Sequence, residues 1–296
     1  MVLPHLSSRR MFGRDAELEA LQDARRALSG RRGSVVLVGG EPGMGKSRLL
    51  GEFAATLRGG RSPHYALGES LEDAPRPFGT WRTALAALVQ RVPATLDNAP
   101  PLVGRSLAAL IPFSVVDRDG LLPPSDRLEK AELFTGVLHY LRLVSEKRAT
   151  VIALEDLHWA DVSSLELLCH VAPRIGGMRL MIVATYRDEA LQPQHRLFGA
   201  VAKLSRADTV RRILLEPLAE RHVRALIDDA LGDTYALTDE RIRAVLDRCD
   251  GNPFFAEELL GHAVQRERGG TSSLPLSIRS LTLDRIAGLS AQTRRL

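Results

Sequence analysis

The octapeptide Gly40–Ser47, GEPGMGKS, satisfies the pattern GxxxxGK[ST] in full. Its residue types suit the holding of phosphate. Gly40, Gly43 and Gly45 let the backbone turn tightly and present N–H groups to phosphate oxygens. Lys46 is placed to neutralise β- and γ-phosphates, and the Ser47 hydroxyl to hold Mg²⁺. Glu41, Pro42, Met44 and Arg48 complete the stretch expected to border a nucleotide. A helix starting near Lys46 would add its positive end to the same anion.

A phosphate loop of this kind needs a carboxylate at the end of a neighbouring strand, to orient Mg²⁺ and water. The segment TVIALED places Glu155 and Asp156 directly after four apolar residues. Two adjacent acids can divide the work, one in the metal shell and one on the attacking water. Position along the strand favours Glu155 beside Ser47 at the metal and Asp156 nearer the γ-phosphate; a one-residue shift reverses the pair. The next strand ends in ATYRDE. If it lies next to the first strand, Arg187 emerges beside the phosphate loop, where it would sense the γ-phosphate or pair with an acid. No NKxD segment reads guanine, which favours ATP. No CxxC, HExxH or GxSxG occurs, and His158, His195 and His222 stand isolated.

These residues need elements to position them, and the hydrophobic pattern supplies candidates. A helical pattern runs from Asp15 to Leu28. SVVLVGG (Ser34–Gly40) is a short β-branched run ended by glycines, followed by a helix pattern from Lys46 to Leu57. Strand, glycine loop and helix in that order open an α/β layer. His64–Gly68 is a second strand candidate, and Phe78–Val92 and Leu128–Val144 are amphipathic helices. The intervening stretch from Pro93 to Pro124 is rich in proline, with room for short helices around Leu107–Ile111. Thr150–Leu154, Leu180–Thr185 and Val210–Leu215 read as further buried strands, with Ser163 and Glu166 as a capping box between the first two. The pattern predicts a parallel five-stranded sheet sandwiched by helices. Beyond Pro217 the strands stop. Glu220–Leu231, Asp239–Arg248 and Asn252–Arg266 predict a small helical domain.

The composition agrees. At 296 residues the chain suits one large domain or two smaller ones, and 45% hydrophobic content excludes a disordered charged chain. A net charge of +4 without a dense basic stripe gives no footprint for nucleic acid. Only four of the 40 basic residues are lysines, Lys46, Lys130, Lys147 and Lys203. Cys169 and Cys249 are too few and too far apart for a disulfide framework or redox pair, which fits a reduced, cytoplasmic chain. The N-terminus lacks the apolar stretch of a signal peptide, and no apolar run is long enough for a membrane span.

Taken together, FGRDAELEAL (Phe12–Leu21), GGEPGMGKSRLL (Gly39–Leu50), LEDLHWAD (Leu154–Asp161), ATYRDE (Ala184–Glu189) and GNPFFAEELL (Gly251–Leu260) resemble the signal-transducing ATPases with numerous domains. These are AAA+-related P-loop proteins, and the order is similar to that in the ATPase module of MalT-like, LuxR-type transcriptional regulators. The resemblance implies a P-loop NTPase three-layer sandwich followed by a helical lid. It implies a core over residues 1–217, a lid over 218–274 and the start of a winged-helix-like domain over 275–296. It also implies that Phe12, Gly13 and Arg14 border adenine and that Pro253 of the GNP turn approaches the nucleotide. ATP and ADP with Mg²⁺ would then bias a switch, hydrolysis being slow, and output would pass through self-association or attached sensor and output domains.

Two features depart from that pattern. Glu155 stands where such enzymes commonly place aspartate at the metal, and the leucine-spaced segment after Leu276 stops without a cap. We therefore expect a fragment or truncated product that does not read DNA by itself. The same module attached to an adenylate cyclase or a protein kinase is the alternative output. A nucleotide-binding interaction module that does not hydrolyse, and a DNA-loading ATPase of the replication-initiator type, complete the competing readings.

Overall fold

A computed structural model describes residues 6–59, 62–72, 76–111 and 128–267. Its contacts divide the chain into two units. One comprises Leu18–Gly39 and Leu50–Leu214; the other comprises the described parts of Met1–Glu17, Gly40–Leu49 and Leu215–Leu296.

The larger unit is built on five parallel strands, β1 (Ser34–Gly39), β2 (His64–Glu69), β3 (Thr150–Glu155), β4 (Leu180–Thr185) and β5 (Val210–Leu214). Their order is β2-β3-β4-β1-β5. Every residue of β1 and β4 is buried, as expected where helices cover both faces of a parallel sheet. Among the described residues, the helices up to residue 171 are α1 (Asp15–Ala27), α2 (Lys46–Ala55), α3 (Gly79–Arg91), α4 (Pro101–Leu110), α5 (Lys130–Lys147) and α6 (Val162–Val171). α7 (Arg196–Leu204) precedes β5. One face of the sheet packs through Ile152, Leu154, Ile182 and Ala184 against Trp81, Leu85, Val137, Tyr140, Leu168 and Val201 of these helices.

The sheet order corrects one expectation. The strand carrying Glu155 does not adjoin β1: β4 is inserted between them, pairing Ile182 with Val35 on one side and with Ile152 on the other. The strand that Arg187 follows is the direct neighbour of β1, the condition set for it above. Sequence cannot fix such an order, because a crossover helix spans one strand or two with little difference in length. A second correction concerns β5, which reads as buried but is an edge strand. Arg211, Arg212 and Leu214 are exposed there, Leu214 at 50%. Charged side chains on an exposed edge discourage pairing with another chain.

The capping box expected at Ser163 and Glu166 is absent. Asp161 is the N-cap of α6 instead, accepting from the Ser164 N–H at 3.0 Å, while Glu166 pairs with Lys130. Asp161 also accepts from the backbone N–H groups of Phe78 and Gly79, at 3.0 and 3.2 Å, where α3 begins. One carboxylate therefore caps two helices, and the Trp81 indole N–H bonds the Ser164 carbonyl alongside it. The expected helix around Leu107–Ile111 is α4, which starts earlier, with Pro101 in its first turn. Residues 112–127 lie outside the described residues.

In the other unit, α8 (Glu220–Leu231), α9 (Asp239–Cys249) and α10 (Pro253–Glu267) enclose a small core of Val223, Ile227, Ile242, Val245, Cys249, Ala256 and Leu260. Leu6 joins this core, and Phe12 packs against it. The turn from α9 to α10 uses two left-handed residues, Asp250 (φ 48°) and Gly251 (φ 69°). A Cβ on Gly251 would lie 2.6 Å from the Leu218 carbonyl oxygen, so glycine is required there on contact as well as dihedral grounds. The leucine-spaced segment after Leu276 lies outside the described residues.

Removing the shared cap should cost more than removing an ordinary one. We expect Asp161→Ala to lower unfolding free energy by about 2–3 kcal/mol, against ~1 kcal/mol for a single N-cap. Urea unfolding of the full chain measures this, and a loss below ~0.5 kcal/mol would show that the carboxylate is not shared.

Candidate functional site

The chain leaves β1 at Gly39 and turns through Gly40–Gly45 into α2. Gly40, Gly43 and Gly45 have φ of 155°, 82° and 88°. The first N–H groups of any helix have no partner within it, so the start of α2 at Lys46, Ser47 and Arg48 favours an anion.

The carbonyls of this loop are all engaged. Lys46 is 8% exposed, and its Nζ donates to the Gly40 and Glu41 carbonyls, both at 2.8 Å. Asn252 Nδ2 donates to the Pro42 carbonyl at 2.9 Å. The Phe254 N–H donates to Gly43 at 3.3 Å. Arg14 Nη2 donates to Met44 at 3.2 Å. Five consecutive carbonyls, from Gly40 to Met44, thus accept a hydrogen bond from the surrounding protein. A trans peptide points its C=O and N–H in opposite directions. Anchoring the carbonyls on the outside turns the N–H groups of the same peptides to the other side, the arrangement of an anion-binding nest.

The flanking residues belong to the same unit. Arg14 is 5% exposed; besides Met44 it bonds the Glu216 carbonyl at 2.7 Å and Glu17 at 3.2 Å. Gly13 backs onto His222, while the Arg10 guanidinium lies 5.7 Å from the centre of the Phe12 ring. Arg48 donates to the Ser8 and Arg9 carbonyls. Asp229 and Glu257 accept from Ser7–Arg10 and fasten the segment leading to Phe12 onto α8 and α10. Pro253 is the first residue of α10, with its Cγ 4.0 Å from where a Cβ on Gly45 would lie.

The sequence marks Asn252 only as part of the GNP turn and the start of the helix predicted over Asn252–Arg266. It is 2% exposed, and its Oδ1 accepts from the N–H groups of Phe254 and Phe255 at 3.1 and 3.3 Å. A Cβ on Gly43 would sit 2.6 Å from that oxygen. The residue type carried a usable signal, since asparagine before proline at a helix start is a strong N-cap. Its second partner, 210 positions away, has no trace in sequence.

The acidic segment lies in the larger unit. Glu155 ends β3, opposite Glu69 of β2 in the ladder. Asp156 turns out of the strand with φ 57°, left-handed for a residue with a side chain. Such a conformation costs on the order of 1–3 kcal/mol and persists where the surroundings over-determine it. Here they do: the Asp156 N–H donates to Thr185 Oγ1 at 3.0 Å, Leu157 N–H to the Thr185 carbonyl at 2.8 Å, and Trp159 N–H to the Asp156 carbonyl at 2.8 Å. The carboxylate is 42% exposed, with Oδ1 3.9 Å from Nδ1 of the buried His158.

His158 is not isolated, contrary to its appearance in the sequence. Its ring lies 4.9 Å from that of Trp159, and the Arg187 guanidinium lies 5.6 Å from the centre of the Trp159 ring. A row Asp156, His158, Trp159, Arg187 results. His195 bonds the His158 carbonyl and, through Nδ1, caps α7 at the Leu197 N–H. Burial and the neighbouring Arg196 hold its pKa below the usual imidazole value, in the direction that favours an accepting Nδ1. Among the described residues, no group of three His, Cys, Asp or Glu side chains forms a metal cage.

A glycine loop with outward-anchored carbonyls and a buried lysine, and a β-strand that ends in one acid and is followed directly by a second, are the marks of P-loop ATPases. The chain belongs to the AAA ATPase domain family, which it matches over residues 10–183. It is 27% identical over 274 residues to an uncharacterized protein of Rhizobium meliloti (strain 1021). The match covers 84% of this chain and 24% of that one, so the chain spans about a quarter of that relative's length. The fold is similar to that of a Walker-type ATPase of Pyrococcus abyssi, with a TM-score of 0.56 at 14% identity, covering 95% of this chain and 75% of that one. It is also similar to a signal transduction ATPase with numerous domains that carries a tetratricopeptide repeat sensor, from Pyrococcus horikoshii. There the TM-score is 0.51 at 16% identity, over 98% of this chain and 35% of that one.

The Thr185 hydroxyl is the support of Asp156 that substitution can isolate. We expect Thr185→Val, nearly isosteric but without the acceptor, to lower unfolding free energy by about 1–3 kcal/mol. Thr185→Ser, which keeps the hydroxyl and drops the methyl, should lose less than half of that; a larger loss in urea unfolding for Ser than for Val would show that the methyl group, not the bond, matters.

Proposed function

We propose that this AAA-type P-loop module binds ATP with Mg²⁺, hydrolyses it slowly, and acts as the regulatory switch of a LuxR-type transcriptional regulator. The observation that carries the nucleotide reading is the anchored loop, with Lys46 held against it by two carbonyls. In this reading the N–H groups of Gly43 and Gly45 and the start of α2 receive the phosphates, and Lys46 offsets their charge. Phe12, Gly13 and Arg14 border the base, Arg14 also holding the Met44 carbonyl, and Pro253 approaches the nucleotide.

The oxygen donors available suit Mg²⁺, a hard cation held by one or two carboxylates together with substrate phosphates. Ser47 and Glu155 would hold it, and it would offset charge developing on the γ-phosphate. Asp156 then orients a water whose oxygen bonds the γ-phosphorus as the bond to the bridging oxygen breaks, the water's proton passing to the carboxylate and on to solvent, giving ADP and inorganic phosphate. Arg187, resting on Trp159, senses the γ-phosphate. Loss of that phosphate removes differential contacts and shifts the conformational equilibrium, the requirement for any nucleotide switch.

The regulator reading rests on the order of the five motifs from Phe12 to Leu260. The division into a core over 1–217, a lid over 218–274 and a following domain belongs to it, as do self-association and attached sensor and output domains. An attached cyclase or kinase would use the same switch. No helix among the described residues is long and apolar enough to cross a membrane.

Nucleotide binding and phosphate release test the site. Lys46→Ala should weaken ATP binding roughly tenfold to a hundredfold, the worth of a charge-assisted contact; unchanged affinity removes the phosphate-loop assignment. Asp156→Ala should keep ATP affinity and lower turnover by about 10² or more. Turnover equal to the parent's would take Asp156 out of the reaction.

A further inference from the structure

The loop anchors are not equivalent. Because C=O and N–H of one peptide point in opposite directions, each anchor orients one particular donor. The bond from Asn252 to the Pro42 carbonyl sets the Gly43 N–H, whereas that from Arg14 to the Met44 carbonyl sets the Gly45 N–H. The Phe254 N–H on the Gly43 carbonyl sets the Met44 N–H, which is turned inward to the Glu41 carbonyl. Pro42 has no N–H at all. Gly43 is therefore a donor the loop can offer outward, and the side chain of Asn252 directs it.

Asn252 is also fixed at its other end. Its Oδ1 receives two N–H groups from the first turn of α10, so the amide can be oriented one way only: oxygen to the helix, nitrogen to Pro42. The side chain is buried, and Gly43 leaves it room that a Cβ would remove. The amide thus reads two backbones at once, the phosphate loop and the start of α10. Movement of either breaks a bond of the other.

We propose that Asn252 is a positioning residue for nucleotide, coupling the orientation of the Gly43 N–H to the first turn of α10. This inference rests on the reading of Gly40–Ser47 as a nucleotide site. The first turn of α10 and the phosphate-facing state of the loop form together, and nucleotide stabilises both. The peptide N–H groups of such loops serve the α- and β-phosphates, which ATP and ADP share. Asn252 consequently supports both nucleotides equally, in contrast to a group that senses the γ-phosphate.

Substitution can separate the two ends of the amide. Asn252→Asp keeps an oxygen to cap α10 and replaces the donor to Pro42 with an acceptor. Asn252→Ser keeps a neutral cap but is too short to reach Pro42. Affinities of the full chain for fluorescent ATP and ADP analogues would be measured beside the parent and Lys46→Ala, with urea unfolding of each. We expect both Asn252 variants to remain folded, with a lowered midpoint from the unmet Pro42 carbonyl, and to bind both nucleotides at least tenfold more weakly, by similar factors. Parent-like affinity in either folded variant, while Lys46→Ala loses binding, overturns this inference alone. So does a loss confined to ATP. A parent that binds neither nucleotide removes the nucleotide reading, and this inference with it.

Discussion

A backbone can hold a phosphate only if its carbonyls are occupied elsewhere. In a loop of alternating donors and acceptors, any peptide free to rotate can present its oxygen to the anion and repel it. The loop from Gly40 to Met44 meets this constraint with donors from four places: the Lys46 side chain, the Asn252 amide, the Phe254 N–H and the Arg14 guanidinium. Each bond is individually modest, worth about 0.5–1.5 kcal/mol when neutral and more when charged. Their value lies in direction, because together they leave the loop one way to face. The FGR segment and the GNP turn acquire a shared purpose from this, as the two sides from which the loop is held.

The acidic segment obeys the same logic with other means. Asp156 sits in a conformation that its residue type tolerates at a cost, and three hydrogen bonds hold it there, one to the Thr185 hydroxyl and one to the Thr185 carbonyl. Asp161, at the far end of the same stretch, caps α6 and α3 together. LEDLHWAD therefore begins with residues suited to chemistry and ends with one that is structural. His158 and Trp159 between them link Asp156 to Arg187 through ring contacts.

Much of this was legible in the residues. The parallel sheet followed from short apolar runs at crossover spacing, and most element boundaries fell within a few positions of those expected, α4 with its early start at Pro101 being an exception. The phosphate loop was legible because its requirement is local: glycines where the chain must turn, a lysine and a serine at a helix start. The capping residue before α6 was not, since Ser163 and Glu166 satisfied the same local pattern as Asp161, and only the approach of α3 shows why aspartate is needed. The strand order was not legible either, because crossover length does not reveal whether a strand has been passed over.

Sequence alone determined the phosphate-loop motif, the strands and most of the helices, since each depends on propensity and spacing over a dozen residues or fewer. Tertiary structure decided what those segments do for one another. It set β4 beside β1, gave Arg14 and Asn252 the Met44 and Pro42 carbonyls, and gave Asp156 the hydroxyl of Thr185. The reason is physical: these are hydrogen bonds between residues 29 to 210 positions apart. Their geometry exists only once the chain has folded, and no local preference encodes the orientation of a distant peptide.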